Sequence, residues 1–307
     1  MQKSGFRLFR VFGIDVYLHW TWIIVALIEI QQRRTEYSSV VWNIAEYMSL
    51  FGIVLLHEMG HALACRSVGG KAERILLWPL GGVAFISPPQ RPGAVLWSIV
   101  AGPLVNVALV PVTFVLHFVL AQQLDANSDA VRFAFALLEL NAILLVFNLF
   151  PAYPLDGGQV LRALLWFVMG AANSLFVAAI IGIVGAVAVL ALAVSGWGIY
   201  MGFMAVFMGW QAVIGLKQAL LMRRMKFMPR HAGAFCPACG AAPPVGPFWK
   251  CTCGKLLDTF EHQARCPHCG TTFQNTMCTQ CGKVSSRYLW HPLPPPLQEK
   301  QMRNASV

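Results

Sequence analysis

Charge is scarce in this chain. Only 12% of its 307 residues are Asp, Glu, Lys or Arg, and 57% are hydrophobic. About 25% charged residues is usual for a soluble domain. The mean hydropathy is +0.60. That balance excludes an ordinary soluble enzyme of this size, which has no need for apolar runs close to 20 residues long. Acidic residues are rarer than basic ones, 13 against 23, for a net charge of +10. The basic excess collects in the termini and a few loops, so membrane orientation accounts for it better than nucleic acid does. No small-residue cleavage site follows the first apolar run, Ile14 to Ile30, so a cleavable signal peptide is not expected. Cysteine is almost missing before residue 230, where Cys65 stands alone; the other eight lie beyond it.

The apolar runs predict six spans, at roughly 14–30, 43–65, 94–121, 131–150, 174–194 and 197–216. Tyr17, Trp20 and Trp22 suit a headgroup layer at one end of the first. Ser195 and Gly196 separate the last two, which form either a tight hairpin or one longer broken segment. Lys3, Arg7 and Arg10 precede span one; Arg66, Lys71, Arg74 and Arg91 lie between spans two and three; Lys217, Arg223, Arg224, Lys226 and Arg230 come after span six. Six spans put all three groups on one side, with Arg33 and Arg34 opposite. Both termini are therefore expected in the cytoplasm, with the chain a multi-pass protein of the cell membrane.

Residues 57–61 read His-Glu-Met-Gly-His inside the second span. His57 and His61, four apart on a helix, share a face and can hold one zinc ion, while Glu58 can reach a metal-bound water as general base. Three ionisable side chains in a bilayer-length apolar helix are expensive and imply function. A zinc site of this kind needs a third protein ligand, and Asp156 in Asn148-Leu-Phe-Pro-Ala-Tyr-Pro-Leu-Asp156-Gly157-Gly158 is the candidate. Pro151 and Pro154 must break the fourth span, and irregular backbone at membrane depth is tolerated only against protein or a wet cavity. The alternative is a solvated aspartate capping the helix that begins near Gly158.

These residues resemble the site-2 protease family of intramembrane zinc metalloproteases. The resemblance covers roughly residues 14–216 and rests on LLHEMGHALA, AGPLVN at 101–106 and NLFPAYPLDGG at 148–158, in that order. It implies His57, His61 and Asp156 as zinc ligands and Glu58 as catalytic base. It fits the compact six-span branch, without the PDZ insertion of another branch. Where that compact branch often carries a CBS tail, this sequence has a cysteine-rich stretch instead. Asn106 is the candidate oxyanion donor, with an interhelical hydrogen bond as its other reading. Leu77 to Ser87, rich in strand formers, resembles the family's membrane-associated β-segment. It either pairs with an unwound substrate as an added strand or forms a re-entrant turn. Cys65 reads as a small buried hydrophobe. Glu46 and Glu139 either line a water path to the zinc or make packing contacts.

After about residue 230 the composition changes. Cys236-Pro-Ala-Cys239 is followed by Cys251-Thr-Cys253, and Cys266-Pro-His-Cys269 by Cys278-Thr-Gln-Cys281. Read in order, these are two successive four-cysteine zinc ribbons, with glycines after Cys239, Cys253, Cys269 and Cys281 for the tight turns. Disulfides are the competing reading, disfavoured on a reducing cytoplasmic side.

The expected fold is an all-α polytopic membrane protein of about six transmembrane helices with a short membrane-associated β-segment, plus a small C-terminal zinc-ribbon domain. The expected divisions are a metalloprotease domain over 1–230, a double zinc ribbon over 231–284 and a disordered tail over 285–307. One catalytic and two structural Zn2+ ions are expected, with a transmembrane protein as substrate. A cytoplasmic protein is the expected partner of the ribbons; nucleic acid is not, because no basic-aromatic face is legible. Two functions stand: an intramembrane endopeptidase, or a catalytically silent scaffold or adaptor. Glu58 favours the first, since a scaffold has no need of a carboxylate there.

Overall fold

The computed structural model describes residues 5–32, 35–78, 81–262 and 264–290; Lys3, Arg33, Arg34, Pro292 and Pro294 to Pro296 lie outside them. Two compact units result, Met1–Leu220 and Leu221–Val307.

The first unit opens with strands β1 (Gly5–Val11) and β2 (Ile14–His19), then helices α1 (Thr21–Gln32) and α2 (Val40–Ser67). Strands β3 (Lys71–Trp78) and β4 (Gly81–Ser87) come next, then α3 (Pro92–Gln123), α4 (Asp129–Leu149), α5 (Asp156–Leu192) and α6 (Ile199–Phe227). Among the described residues five helices are long and apolar enough to cross a membrane. The protein is an integral membrane protein.

The first predicted span is corrected: it is no single helix but β2 followed by the 12-residue α1. The two together still run the length of α2. Arg66 donates to the Phe12 and Gly13 carbonyls at one end, and Tyr47 donates to the Trp22 carbonyl midway. Tyr37 donates to Glu46 near the other end, at 2.6 Å. Ile14 and Val16 alternate with Asp15 and Tyr17, and the first two are fully buried against Val54, Met59, Ala62, Ile75 and Leu77. That period of two makes a strand, whatever the total hydrophobicity.

The four strands form one sheet in the order β1-β2-β3-β4, with β2 and β3 parallel and the other neighbours antiparallel. The β-segment expected at Leu77–Ser87 thus takes in the end of β3 and all of β4, the edge strand of a larger sheet. Ala84 sits opposite Ile75, and its N–H points away from β3, onto α2.

Helix α5 doubles back at Gly170, whose φ of 78° only glycine adopts freely. Gly158 and Gly182, on opposite sides of that kink, both lie against Tyr153. The first half of α5 therefore runs away from Tyr153 and the second half returns to it. Five turn residues, Ala193–Trp197, then lead into α6, which packs antiparallel on the second half: Ala186 meets Gly209 and Gly182 meets Ala212. The tight-hairpin reading is the one observed.

The second unit holds two small hairpins, β5 (Trp249–Lys250) with β6 (Leu256–Leu257) and β7 (Asn275–Met277) with β8 (Val284–Ser286). A 3-10 turn over Arg287–Trp290 closes it. Its centre is aromatic: Phe260 lies 5.3 Å from Trp249 and 5.1 Å from Trp290, ring to ring. Trp290 is 1% exposed and packs on Cys236 and Cys278. The expected boundary at residue 284 is therefore too early, and residues 285–290 belong to this unit rather than to a tail. Proline content suggested the tail, but one large buried ring outweighs it. Asp258 accepts hydrogen bonds from the backbone of Gly246, Phe260 and Glu261 and pairs with His231 at 2.8 Å. Burial alone would push its pKa up; those partners hold it below the ordinary carboxylate value.

Candidate metal centre

On α2, His57, Glu58 and His61 are all buried. The Nε2 atoms of the two histidines lie 3.0 Å apart. Asp156, in the first turn of α5, brings Oδ2 to 3.0 Å from His57 Nε2 and 3.2 Å from His61 Nε2.

The proton positions come from the hydrogen-bond chain. Asn141 Nδ2 bonds the Asn106 backbone carbonyl, an atom that only accepts. Asn141 Oδ1 is therefore the end that accepts from Asn106 Nδ2, at 2.7 Å. Asn106 Oδ1 is left to face His57 Nδ1 at 2.5 Å, so His57 carries its proton there. His61 Nδ1 likewise donates to the Ser98 carbonyl at 2.9 Å. In the neutral imidazoles both Nε2 atoms then present lone pairs to each other and to a carboxylate. Such a group repels itself unless a cation lies among its members. Tetrahedral ligands at about 2.0–2.2 Å from one zinc stand about 3.3–3.6 Å apart, close to the 3.0–3.2 Å here. The residues fit the metal.

Packing leaves no slack around the centre. A Cβ on Gly102 would come within 2.2 Å of His61 Nε2, and one on Gly157 within 2.2 Å of the Leu149 carbonyl. The AGP and DGG sequences are thus close-approach sites: α3 lies directly on His61, and the turn carrying Asp156 lies directly on the end of α4. The break expected at Pro151 and Pro154 spans residues 150–155, between α4 and α5.

Glu58 is held from the sheet side. Its Oε2 accepts from the Ala84 N–H at 2.8 Å, and a Cβ on Gly82 would sit 2.3 Å from its Cγ. The cavity over these groups has a volume of about 450 Å³; β4 forms one wall, the first half of α5 another, and Met204, Phe207 and Gln211 of α6 a third.

The structure brings together His57, Glu58, His61 and Asp156. Asn106, expected as an oxyanion donor or an interhelical hydrogen bond, is wholly buried and bonds His57 through Oδ1 and Asn141 through Nδ2. Its bond to His57 is of the kind that fixes the tautomer of a metal-binding imidazole. Glu46 bonds Tyr37 and Glu139 is exposed, and neither lines the cavity. Cys65 is fully buried, as expected of a small hydrophobe. Sequence reasoning passed over Arg162, Gln159 and Trp166, which face the cavity from α5. Their 3- and 4-residue spacing after Asp156 was the available signal.

The cysteines group differently from their order in the chain. Cys236, Cys239, Cys278 and Cys281 form one set and Cys251, Cys253, Cys266 and Cys269 the other, so one site is nested within the other. Sulfur separations of 3.8 Å for Cys236–Cys281 and Cys239–Cys278, and of 3.5 and 3.8 Å for Cys251–Cys269 and Cys253–Cys266, exceed any disulfide. They match four thiolates around one ion with bonds near 2.3 Å. The sequential grouping is therefore corrected. Eleven residues separate Cys239 from Cys251 and twelve separate Cys253 from Cys266, so spacing alone could not choose.

Known proteins match this chain across the residues that carry the site. The sequence model of peptidase family M50 matches residues 45–126 and 118–192. A zinc metalloprotease of Methanocaldococcus jannaschii is 35% identical over 181 residues, 59% of this chain and 51% of the relative. Stage IV sporulation protein FB of Bacillus subtilis is 30% identical over 155 residues, 48% of this chain and 46% of the relative. The chain thus spans about half the length of the curated relatives it matches. The solved site-2 protease from Methanocaldococcus jannaschii superposes with a TM-score of 0.51 at 31% identity, covering 69% of this chain and 95% of that one. With the His57, His61 and Asp156 cluster, the strand over Glu58 and the AGP and DGG contacts all lying inside the matched region, the chain belongs to peptidase family M50, the site-2 protease family.

Proposed function

We propose that this protein is an intramembrane zinc endopeptidase that cuts transmembrane segments of other membrane proteins. The observation that carries the reading is the convergence of two imidazole Nε2 atoms from α2 and a carboxylate oxygen from the first turn of α5, beside a buried glutamate, within a bundle of bilayer-length helices. His57, His61 and Asp156 would hold the metal. Bound zinc supplies a Lewis acid and lowers the pKa of water toward neutrality.

The chain's own groups do the rest. Asn106 and the Ser98 carbonyl keep both imidazoles in the metal-accepting tautomer. Glu58 takes the proton from the attacking water and returns it to the leaving amine. The free edge of β4 offers backbone groups to an unwound substrate strand, which a helical substrate lacks until it unwinds. A strand seated there also competes for the Ala84 N–H, releasing the Glu58 carboxylate for proton transfer. The cavity walls keep bulk water from the bond under attack.

Both cysteine sets are read as structural zinc sites, since four sulfurs leave no open position. We read the basic groups at 7–10, 66–91 and 217–230 as support for two cytoplasmic termini and a place in the cell membrane. Residues to about 230 then form the membrane domain, and 231–290 a cytoplasmic module for a protein partner. The test is cleavage of co-expressed single-span proteins by wild type and by Glu58→Gln, with zinc counted in both. Cleavage within a span by wild type alone, with equal zinc, supports the reading. Equal zinc with no cleavage by wild type turns it toward a scaffold.

A further inference from the structure

Arg162 faces the same cavity and has no part in the chemistry above. It makes no ion pair among the described residues, and its Nε, shut off from solvent, has no hydrogen-bond partner. A guanidinium is always charged and presents five N–H donors in a planar fork. Arg162 is half-buried, and its Nε is a donor left unmet until an acceptor arrives. Neither carboxylate of the cavity serves: Asp156 is committed to the histidines and Glu58 to Ala84.

The position of Arg162 defines what it meets. It lies six residues past Asp156, about 9 Å along the helix. From Asp156 the first half of α5 runs toward the start of α3, since the Phe167 ring lies against Gly93. β4 runs the same way, from Gly82 over Glu58 to Ser87, and Pro88 and Gln90 line the cavity beyond it. The two walls are therefore roughly parallel, with the free strand edge on one and Arg162 on the other. A peptide extended along β4 advances about 3.3 Å per residue, so Arg162 stands opposite roughly the third residue from the bond under attack.

We infer that Arg162 is a specificity residue that takes a carboxylate side chain of the substrate, Asp or Glu, about three residues from the cleaved bond on the α3-start side. A carboxylate matches the fork in a bidentate pair, and burial strengthens that pair. The new carboxylate made by cleavage is a poor candidate, because it forms at the metal, about 9 Å away. The inference rests on the proposed peptidase reading and names the substrate class of that site.

The test uses full-length protein in detergent and a set of apolar, strand-forming peptides, each carrying Glu or Gln at one scanned position. Binding is read by fluorescence polarisation on Glu58→Gln, and cleavage on the protein with Glu58 intact. Expected is a Glu preference of about tenfold or more at one position near three residues from the cut, seen mainly in Kd and KM. That preference falls to about one in Arg162→Gln and survives in part in Arg162→Lys. In Arg162→Glu it reverses toward a Lys peptide, which also shows that the variant folds. Peptides bound and cut with no carboxylate preference, or with one that Arg162→Gln leaves intact, overturn this inference alone. Peptides neither bound nor cut by any form overturn the peptidase reading, and this inference with it.

Discussion

The two candidate metal sites use opposite strategies. In the membrane unit the three candidate ligands, two imidazoles and one carboxylate, come from two helices far apart in the sequence, and neighbouring groups crowd them closely: Asn106 and the Ser98 carbonyl bond the imidazoles, and Gly102 and Gly157 allow close approach. In the cysteine unit eight sulfurs make two complete sets, held by short local turns. Gly240, Gly254, Gly270 and Gly282, each one residue past a cysteine, take positive φ there. An incomplete ligand set beside a base suits reaction; a complete set suits stability. The same metal would be exchangeable and reactive in one place and closed off in the other.

Gly102→Ala should strike one site and spare the other. Its new methyl would fall on His61 Nε2. Loss of the membrane-site zinc and at least a hundredfold loss of cleavage are expected, with both cysteine sites still loaded. Metal content per chain, measured together with cleavage, checks this.

Paired serine substitutions test the nesting. Cys236→Ser with Cys278→Ser removes two ligands of one set, so one zinc is lost; Cys236→Ser with Cys251→Ser damages both sets, so two are lost. A sequential grouping reverses that order. Zinc counts and the thermal midpoint of the cysteine unit decide between them.

Asn141→Ala sharpens the role of the outer hydrogen bonds. It leaves Asn106 free to turn, and with it the tautomer of His57. Metal affinity should weaken by about 10- to 100-fold, with cleavage restored by added zinc. Chelator competition followed by zinc titration measures it.

The smallest effect is expected from Asp258→Asn. That residue serves three backbone N–H groups and His231, so the change should cost about 1–3 kcal/mol in the cysteine unit. Because the folded-state pKa of Asp258 is depressed, its contribution is present above the ordinary carboxylate pKa and is lost as pH falls below it. Denaturant melts of wild type and variant near pH 7 and near pH 3 should converge at the lower pH. Cleavage should not change.

The grouping of His57, His61 and Asp156 was legible because each member carries a local mark. His57 and His61 are set by helical spacing, and Asp156 by the prolines and glycines that break a helix around it. Other features left no such mark. Strand β2 hid in an apolar run, where its alternation was outweighed by total hydrophobicity. Asn106 and Asn141 are single polar residues in apolar helices, and only the fold pairs them. Arg162 looked like one more basic residue until the kink at Gly170 placed its helix along the cavity. Cysteine pairing failed on near-equal gaps, and only the chain path through the aromatic centre resolves it.

The most direct test of the account is a zinc count on wild type and on His57→Ala/His61→Ala, made alongside cleavage of one single-span protein. Three zinc ions per chain with cleavage, falling to two with none, is the predicted result. Three ions in both proteins, or cleavage that survives the double substitution, would contradict a catalytic metal at His57, His61 and Asp156.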